Sequence, residues 1–179
     1  MHRFNAAILL VAVLLTGCSS GLDRVQVAEF IDRADDAARK RYAPEICALR
    51  GKNFELHVAF HADGADEPSE LDMTRKLFCR EAGSFSQLRQ YRLERKLMKI
   101  DLAKDRKTAK VTAEYVETMP FYEPHRIPVT PDDFMEFQVV EILDESMVGI
   151  EDGDLVFLST RSEAHQTLVS KKRVDIPYD

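Results

Sequence analysis

Two neighbouring segments decide the fold of this chain, Leu97-Met98-Lys99-Ile100-Asp101-Leu102 and Lys107-Thr108-Ala109-Lys110-Val111-Thr112-Ala113. Apolar and polar side chains alternate along both segments, and this period of two indicates strands with one buried face. The polar stretch Lys104-Asp105-Arg106-Lys107 lies at their junction. We therefore predict a long antiparallel hairpin.

The first strand of this hairpin changes phase along its length. Upstream, the alternating set falls on odd positions, namely Tyr91, Leu93, Arg95 and Leu97. From Met98 onward the apolar side chains fall on even positions. One extra residue in a strand has this effect, so we predict a β-bulge within the run.

The sequence before the hairpin predicts helices and a strand. Asp23 is a suitable N-cap for a helix that extends to about Tyr42, because apolar residues recur there at helical spacing. Pro44 begins a second, shorter helix through residues 45–49. Residues 54–60 alternate as in a strand. Ser69 and Asp72 resemble a capping box, which predicts a third helix over residues 70–81.

The sequence after the hairpin predicts a loop and several strands. The segment 120–133 carries four prolines and is interpreted as a loop. Strands are predicted at about residues 134–143 and 146–150. Asp152-Gly153 is a tight-turn signal before a last strand over residues 155–159. A polar tail is predicted from residue 163 onward.

Length and composition limit the classes of protein to which this chain can belong. Its 179 residues suit one domain after any signal is removed. The formal net charge is −6 at pH 7, with 31% charged residues. An acidic protein does not attract nucleic acid or anionic lipid headgroups without specific contacts, so we predict no nucleic-acid partner.

The N-terminal segment has the composition of a secretory signal peptide. His2 and Arg3 precede an apolar run over residues 6–15, which is shorter than the roughly 20 residues that a membrane-spanning helix requires. The run ends in Leu15-Thr16-Gly17-Cys18, which resembles the lipobox of bacterial lipoproteins. A plain secretory signal with an incidental cysteine and an N-terminal membrane anchor are the alternatives.

The lipobox resemblance implies that Cys18 receives a diacylglyceryl group on its sulfur, that the chain is cut before it, and that the new amino terminus is acylated. The lipid bilayer is then a partner through this acylated cysteine. Ser19 and Ser20 follow Cys18 where an Asp would favour the inner membrane. We therefore expect the outer membrane, with the protein facing the periplasm. The predicted organisation is a signal peptide (1–17), a lipidated tether (18–22), a domain (23–162) and a polar tail (163–179).

Two cysteines remain after Cys18, namely Cys47 and Cys79. We predict a disulfide between them, because their number is even and the periplasm is oxidising. Two buried free thiols are the alternative. Neither cysteine has a CxxC partner or a nearby histidine, so a cysteine-bound zinc ion is not predicted.

The order of elements resembles the NTF2-like, or cystatin-like cone, superfamily. The resemblance rests on the hairpin quoted above and on the closing segment Glu151-Asp152-Gly153-Asp154-Leu155-Val156-Phe157. It implies an α+β fold in which N-terminal helices pack on a curved antiparallel sheet over residues 23–162. Another α+β protein with a bent sheet is the alternative. The resemblance also implies a possible homodimer formed through the sheet.

Members of this superfamily enclose a pocket in the cone and include isomerases, dehydratases, polyketide cyclases and non-enzymatic binding modules. Their enzymes use an Asp/His or Asp/Tyr arrangement that has no residue-by-residue match in this chain. We therefore predict no catalytic residue and no cofactor, and a non-enzymatic role in binding an unknown small molecule or an envelope protein. An isomerase- or cyclase-type enzyme with an acid–base pair in the cone, and a structural subunit of an envelope complex, are the alternatives.

The candidate pocket residues are Tyr91, Tyr115, Glu117 and Phe137. The three aromatic residues fall on apolar strand faces, where core packing is the alternative role. Glu117 shares a face with Tyr115, and a carboxyl turned inward would have a raised pKa and could act as a base. Exposure at the strand end, close to Pro120, is the alternative for Glu117.

Histidines supply two further candidates. His57 and His61 share one face of the predicted strand, and with Asp63 they would present two imidazoles and one carboxylate to a metal ion. Because no metalloprotein signature accompanies them, we predict a solvent-facing pair and no metal site. His125 lies in the proline-rich loop, where it either contacts a ligand or belongs to a loop that covers a sheet edge.

Overall fold

The computed structural model describes residues 21–85, 91–120 and 135–171. Within these ranges, three helices precede or interrupt a single sheet: α1 (Arg24–Arg39), α2 (Ala43–Ala48) and α3 (Arg75–Phe85). The strands are β1 (Arg50–His61), β2 (Ser69–Thr74), β3 (Arg92–Leu102), β4 (Thr108–Pro120), β5 (Met135–Glu151) and β6 (Asp154–Lys171). Among the described helices, none combines the length and the hydropathy of a membrane-spanning segment.

The six strands form one sheet in the order β2-β1-β6-β5-β4-β3. All neighbours are antiparallel except β1 and β6, which run parallel. The predicted α+β class, with helices packed on a curved sheet, is confirmed. The expectation of a wholly antiparallel sheet is wrong, because β1 lies beside the last strand, β6, and runs in the same direction.

Helix α1 begins at a capping box and covers one end of the sheet. The Asp23 carboxylate accepts a hydrogen bond from Gln26 N at 2.9 Å, and the Gln26 side chain accepts one from Asp23 N at 3.1 Å. Both satisfy backbone donors that a helix start leaves free. Val27, Phe30 and Ile31 then point into the hydrophobic core, which they share with the sheet residues Phe54, Val111, Val148 and Phe157.

The predicted hairpin and bulge are confirmed in β3 and β4. Arg95 pairs with Tyr115 and Leu97 pairs with Glu114, so one residue of β3 is extra at Lys96. The bulge allows side chains from both halves of β3 to face the helices. It is the physical reason for the change of phase in the sequence.

The predicted third helix starts too early. Residues 69–74 form β2, and α3 begins at Arg75 and continues past Gly83 to Phe85. Six residue pairs join β2 to β1, from Glu55 with Thr74 to Phe60 with Ser69. The local capping signal at Ser69 is overridden, since pairing satisfies the backbone groups of β1 that would otherwise form an open sheet edge.

The two strands predicted at residues 134–143 and 146–150 are one continuous strand, β5. Asp144 and Glu145 belong to it, because Asp144 pairs with Ala113 on one side and with Ser162 on the other. The Asp152-Gly153 turn is confirmed, with φ angles of 52° and 92°. The last strand does not end at Ser159. Residues 163–171, assigned above to a polar tail, continue β6 opposite β5.

The predicted disulfide between Cys47 and Cys79 is confirmed. It joins α2 to α3, with the two Cα atoms 5.2 Å apart. Cys18 with the signal segment, and His125 with residues 121–133 of the proline-rich loop, lie outside the described residues.

Replacing both bridged cysteines, as Cys47→Ser with Cys79→Ser, should lower the free energy of unfolding. The bridge spans 32 residues, and the chain-entropy model gives about 3 to 4 kcal/mol for a closed loop of that size. Urea unfolding of both proteins at one pH measures the difference. Equal midpoints would contradict a stabilising role, and a thiol assay on the unfolded wild type verifies that its bridge is intact.

Candidate functional site

The candidate site lies on the face of the sheet that packs against the helices, which we call the inner face. Val111 on this face belongs to the hydrophobic core. Alternation along β4 therefore places Tyr115 and Glu117 on the inner face as well. The register brings Ile142 of β5 opposite Tyr115, and Asp144 opposite Ala113. Three ionisable groups thus project toward the helices from two adjacent strands.

Tyr91 and Glu117, two of the predicted pocket residues, form a hydrogen-bonded pair. The Tyr91 hydroxyl donates to Glu117 Oε1 at 2.6 Å. Burial raises the pKa of Glu117, although the hydrogen bond from Tyr91 opposes the shift. Burial, together with the adjacent carboxylate, raises the pKa of Tyr91. Glu117 is therefore turned inward and is not the solvent-exposed strand end considered above.

Tyr115 lies beside an ion pair that α1 contributes. Asp35 is only 4% exposed. Its carboxylate accepts a hydrogen bond from Arg95 Nη1 at 2.7 Å, and Arg95 Nη2 donates to Asp32 at 2.6 Å. Burial raises the pKa of Asp35 despite the favourable charge of Arg95. Burial and the negative charges of Asp35 and Asp144 raise the pKa of the Tyr115 hydroxyl.

Asp144 is an inner-face carboxyl with a pKa close to neutral. Burial raises its pKa from 3.8 to about 6. A hydrogen bond donated by the Ser162 hydroxyl at 2.5 Å and the positive charge of Arg50 both oppose this shift. An acid with such a pKa exchanges protons readily under physiological conditions.

Arg50 supplies a positive charge beneath the inner face. Its guanidinium carbon lies 4.3 Å from the centre of the Phe157 ring, 4.8 Å from that of Phe78 and 5.1 Å from that of Phe54. Its Nε and Nη1 atoms are shielded from solvent and have no hydrogen-bond partner among the described residues. Burial lowers the pKa of Arg50 to about 10, so the side chain stays charged at neutral pH.

An apolar wall adjoins these groups. Val58, Phe60 and Ile142 continue the inner face beyond the hydrophobic core and are half-buried. The inner face therefore has two parts, a packed end beneath α1 and a less covered end. Apolar side chains lie beside a few polar groups at this second end, which is the composition of small-molecule sites.

Phe137, the fourth predicted pocket residue, does not join the other three. It is buried, with 7% exposure. It pairs with Pro120 and Val169, and its odd position in β5 alternates with Val140 and Ile142. The register thus places Phe137 on the opposite, outer face of the sheet.

Sequence reasoning missed Asp35, Asp144, Arg50 and Arg95. One sequence signal could have identified Asp35. It is a charged residue that interrupts the apolar stripe of α1. Asp144 fell in an apparent gap between two strands, and Arg50 in an apparent helix–strand junction. Only the cross-strand register shows that both face the interior.

His57 and His61, which the sequence predicts as a pair, contact different residues. His57 Nδ1 lies 2.8 Å from Asp72 Oδ1. The His61 ring stacks on His165, with 4.3 Å between ring centres, and Glu163 lies beside both. Asp63, the expected third ligand, is not part of this group among the described residues.

Asp144→Asn should change the pH dependence of stability. A pKa of about 6 in the folded protein, against 3.8 in the unfolded chain, favours folding when the carboxyl is protonated. This contribution is complete below pH 3.8, shrinks as pH rises, and is lost above about pH 6. The difference in unfolding free energy between wild type and variant should change by about 3 kcal/mol across that window.

Urea unfolding at several pH values measures this difference, with Glu114→Gln on the exposed outer face as the control. Glu117 also has a raised pKa and keeps part of the slope in the variant. A difference that is the same at all pH values would show that Asp144 titrates normally.

Comparison with known proteins identifies the fold. No protein-family model and no curated protein sequence matches the chain. A putative scytalone dehydratase from Novosphingobium aromaticivorans is similar in structure, with a TM-score of 0.56 and 12% identity over 84% of this chain and 87% of that one. An NTF2-like protein with a cystatin-like fold from the same organism has a TM-score of 0.53 and 12% identity, covering 79% and 80%.

A hexachlorocyclohexane dehydrochlorinase (LinA, type 2) is also similar, with a TM-score of 0.52 and 7% identity over 87% of this chain and 92% of that one. At such low identity these similarities concern architecture alone. The chain therefore has an NTF2-like, cystatin-like fold, in which helices pack on a curved mixed sheet.

Proposed function

We propose that this chain is a lipid-anchored protein of the cell envelope whose inner face binds a small molecule. One observation carries the proposal. The half-buried apolar side chains of Val58, Phe60 and Ile142 lie on the same face as the inward carboxyls of Glu117 and Asp144. A ligand in this position would bury apolar surface against the wall and orient itself by the polar groups.

The polar groups favour binding over chemistry as the main role. Glu117 is held by Tyr91, Asp144 by Ser162, and Asp35 by Arg95. Groups with such fixed partners are well suited to orient a ligand, since they lose little freedom when it binds. The names of two structural neighbours, a scytalone dehydratase and a hexachlorocyclohexane dehydrochlorinase, also refer to small organic molecules.

Acid–base catalysis on such a molecule is a second candidate function, and Asp144 is the observation that favours it. A carboxyl with a pKa of about 6 is present in both protonation states near neutral pH and can accept and return a proton. Burial raises the pKa of Tyr115, so its hydroxyl stays protonated and is a candidate hydrogen-bond donor on the adjacent strand. This function requires the titration of Asp144 that the unfolding experiment above measures.

A larger side chain at the apolar wall should weaken the binding of an uncharged apolar probe. Ile142→Trp places an indole in the open end of the inner face, whereas Leu143→Trp adds the same group to the outer face, where Leu143 is 41% exposed. We expect Nile red to bind residues 19–179 and the Leu143→Trp protein with similar affinity, and to bind Ile142→Trp at least about tenfold more weakly.

Fluorescence titration measures the affinities, and thermal unfolding checks that both variants fold. Equal weakening by the two substitutions, or no saturable binding by the wild type, would contradict a site on the inner face.

The membrane anchor is tested separately. The lipobox Leu15-Thr16-Gly17-Cys18 supports lipidation, since the Cys18 thiolate is the nucleophile that accepts the lipid. In bacteria that secrete the full chain, Cys18→Ala should lose both incorporation of labelled palmitate and sedimentation with membranes. Ser19→Asp should keep the label and move the protein from the outer to the inner membrane. Continued labelling of the Cys18→Ala protein would refute the anchor.

A further inference from the structure

We propose that His61, Glu163 and His165 bind a divalent transition-metal ion on the outer face of the sheet. The site is distinct from the inner face, because residues on odd positions at this part of β1 and β6 project away from Leu56 and Ala164. It therefore does not depend on the proposed ligand-binding function.

The parallel pairing of β1 and β6 assembles the three side chains. His61 is directly opposite His165 in the register, and Ala59 is opposite Glu163. Glu163 and His165 are two residues apart on β6 and so share a face. The alternation of β1 puts His61 on that same face. Two imidazoles and one carboxylate are thus brought together, although His61 is about a hundred residues from the other two in the chain.

The distances suit coordination. The nitrogen Nε2 of His165 lies 3.3 Å from Glu163 Oε1, and Nε2 of His61 lies 3.7 Å from the same oxygen. One ligand atom from each residue lies within 4.8 Å of the other two. Bonds of about 2.0–2.1 Å in tetrahedral geometry separate ligand atoms by roughly 3.3–3.5 Å. Rotation of the two imidazole rings out of their stacked arrangement would close the three groups on one ion.

The type of ligand selects the class of metal. Imidazole nitrogens with one carboxylate oxygen favour Zn²⁺, Cu²⁺ or Ni²⁺, whereas Mg²⁺ and Ca²⁺ prefer sites made of oxygen atoms. Three protein ligands leave a further position for water or another molecule. The side chains of Glu163 and His165 are 55% and 54% exposed, so an ion can reach them from solution.

A second histidine in β1 provides an internal comparison. His57 contacts Asp72 of β2, as in an ordinary histidine–carboxylate pair, and belongs to no group of three possible metal ligands among the described residues. The stacking of His61 on His165, at 12° between ring planes, is the feature that separates the proposed site from such a pair. Glu141, opposite His165 on β5, adds negative charge at the same place.

The experiment is calorimetric titration of Zn²⁺ into the full chain, purified in detergent without a histidine tag. We expect one ion per chain and no saturable binding of Mg²⁺. His61→Ala and His165→Ala should each weaken Zn²⁺ binding by roughly tenfold or more, and Glu163→Gln should also weaken it. His57→Ala is the matched control and should leave the affinity unchanged.

Thermal unfolding gives an independent readout. Zn²⁺ should raise the unfolding temperature of the wild type and of His57→Ala, because it binds only the folded protein, but not that of the His61→Ala or His165→Ala proteins. Unfolding without metal verifies that each variant is folded, and His61→Gln and His165→Gln replace any alanine variant that is not. Absence of saturable Zn²⁺ binding, or equal weakening by His57→Ala, would overturn the proposal.

Discussion

The parallel pairing of β1 with β6 is the constraint on which the rest of this structure depends. It connects the helices α1 and α2, which precede β1, to the long C-terminal strands. Arg50 at the start of β1 lies opposite Phe157 of β6, and its guanidinium stacks on that ring. At the other end of the same pair, His61 lies opposite His165. The register of this strand pair therefore determines the positions of the Arg50 charge and of the histidine cluster on the outer face.

Removal of water governs the chemistry of the inner face. The pKa values of Asp35, Glu117 and Asp144 are all raised, and burial is the main cause in each case. Each carboxyl has a hydrogen-bond donor, respectively Arg95, Tyr91 and Ser162, which limits the cost of burying it. Glu117 and Asp144 project from the inner face of the sheet, and Asp35 projects from α1, which packs against it. All three buried carboxyls therefore lie between the helices and the sheet.

The sequence predicted those elements whose signal is local. The Asp23 cap, the hairpin of β3 and β4, the bulge near Lys96 and the Asp152-Gly153 turn all follow from spacing and turn chemistry within a few residues. The inward direction of Glu117 was anticipated for the same reason, since it shares the phase of Tyr115. The helix predicted over residues 70–81 failed at its start because pairing with β1, a contact between different segments, outweighed a local capping pattern.

The sequence by itself determined the alternation of strands, the caps and turns, and the presence of two cysteines able to pair. Only the tertiary structure decided which strands are neighbours, because any strand with one apolar face can pair with several others. That choice placed Asp144 beside Ser162, Tyr91 beside Glu117, and His61 beside His165. It also placed Phe137 on the outer face. Side-chain direction depends on register, and register is determined by contacts between residues far apart in the chain.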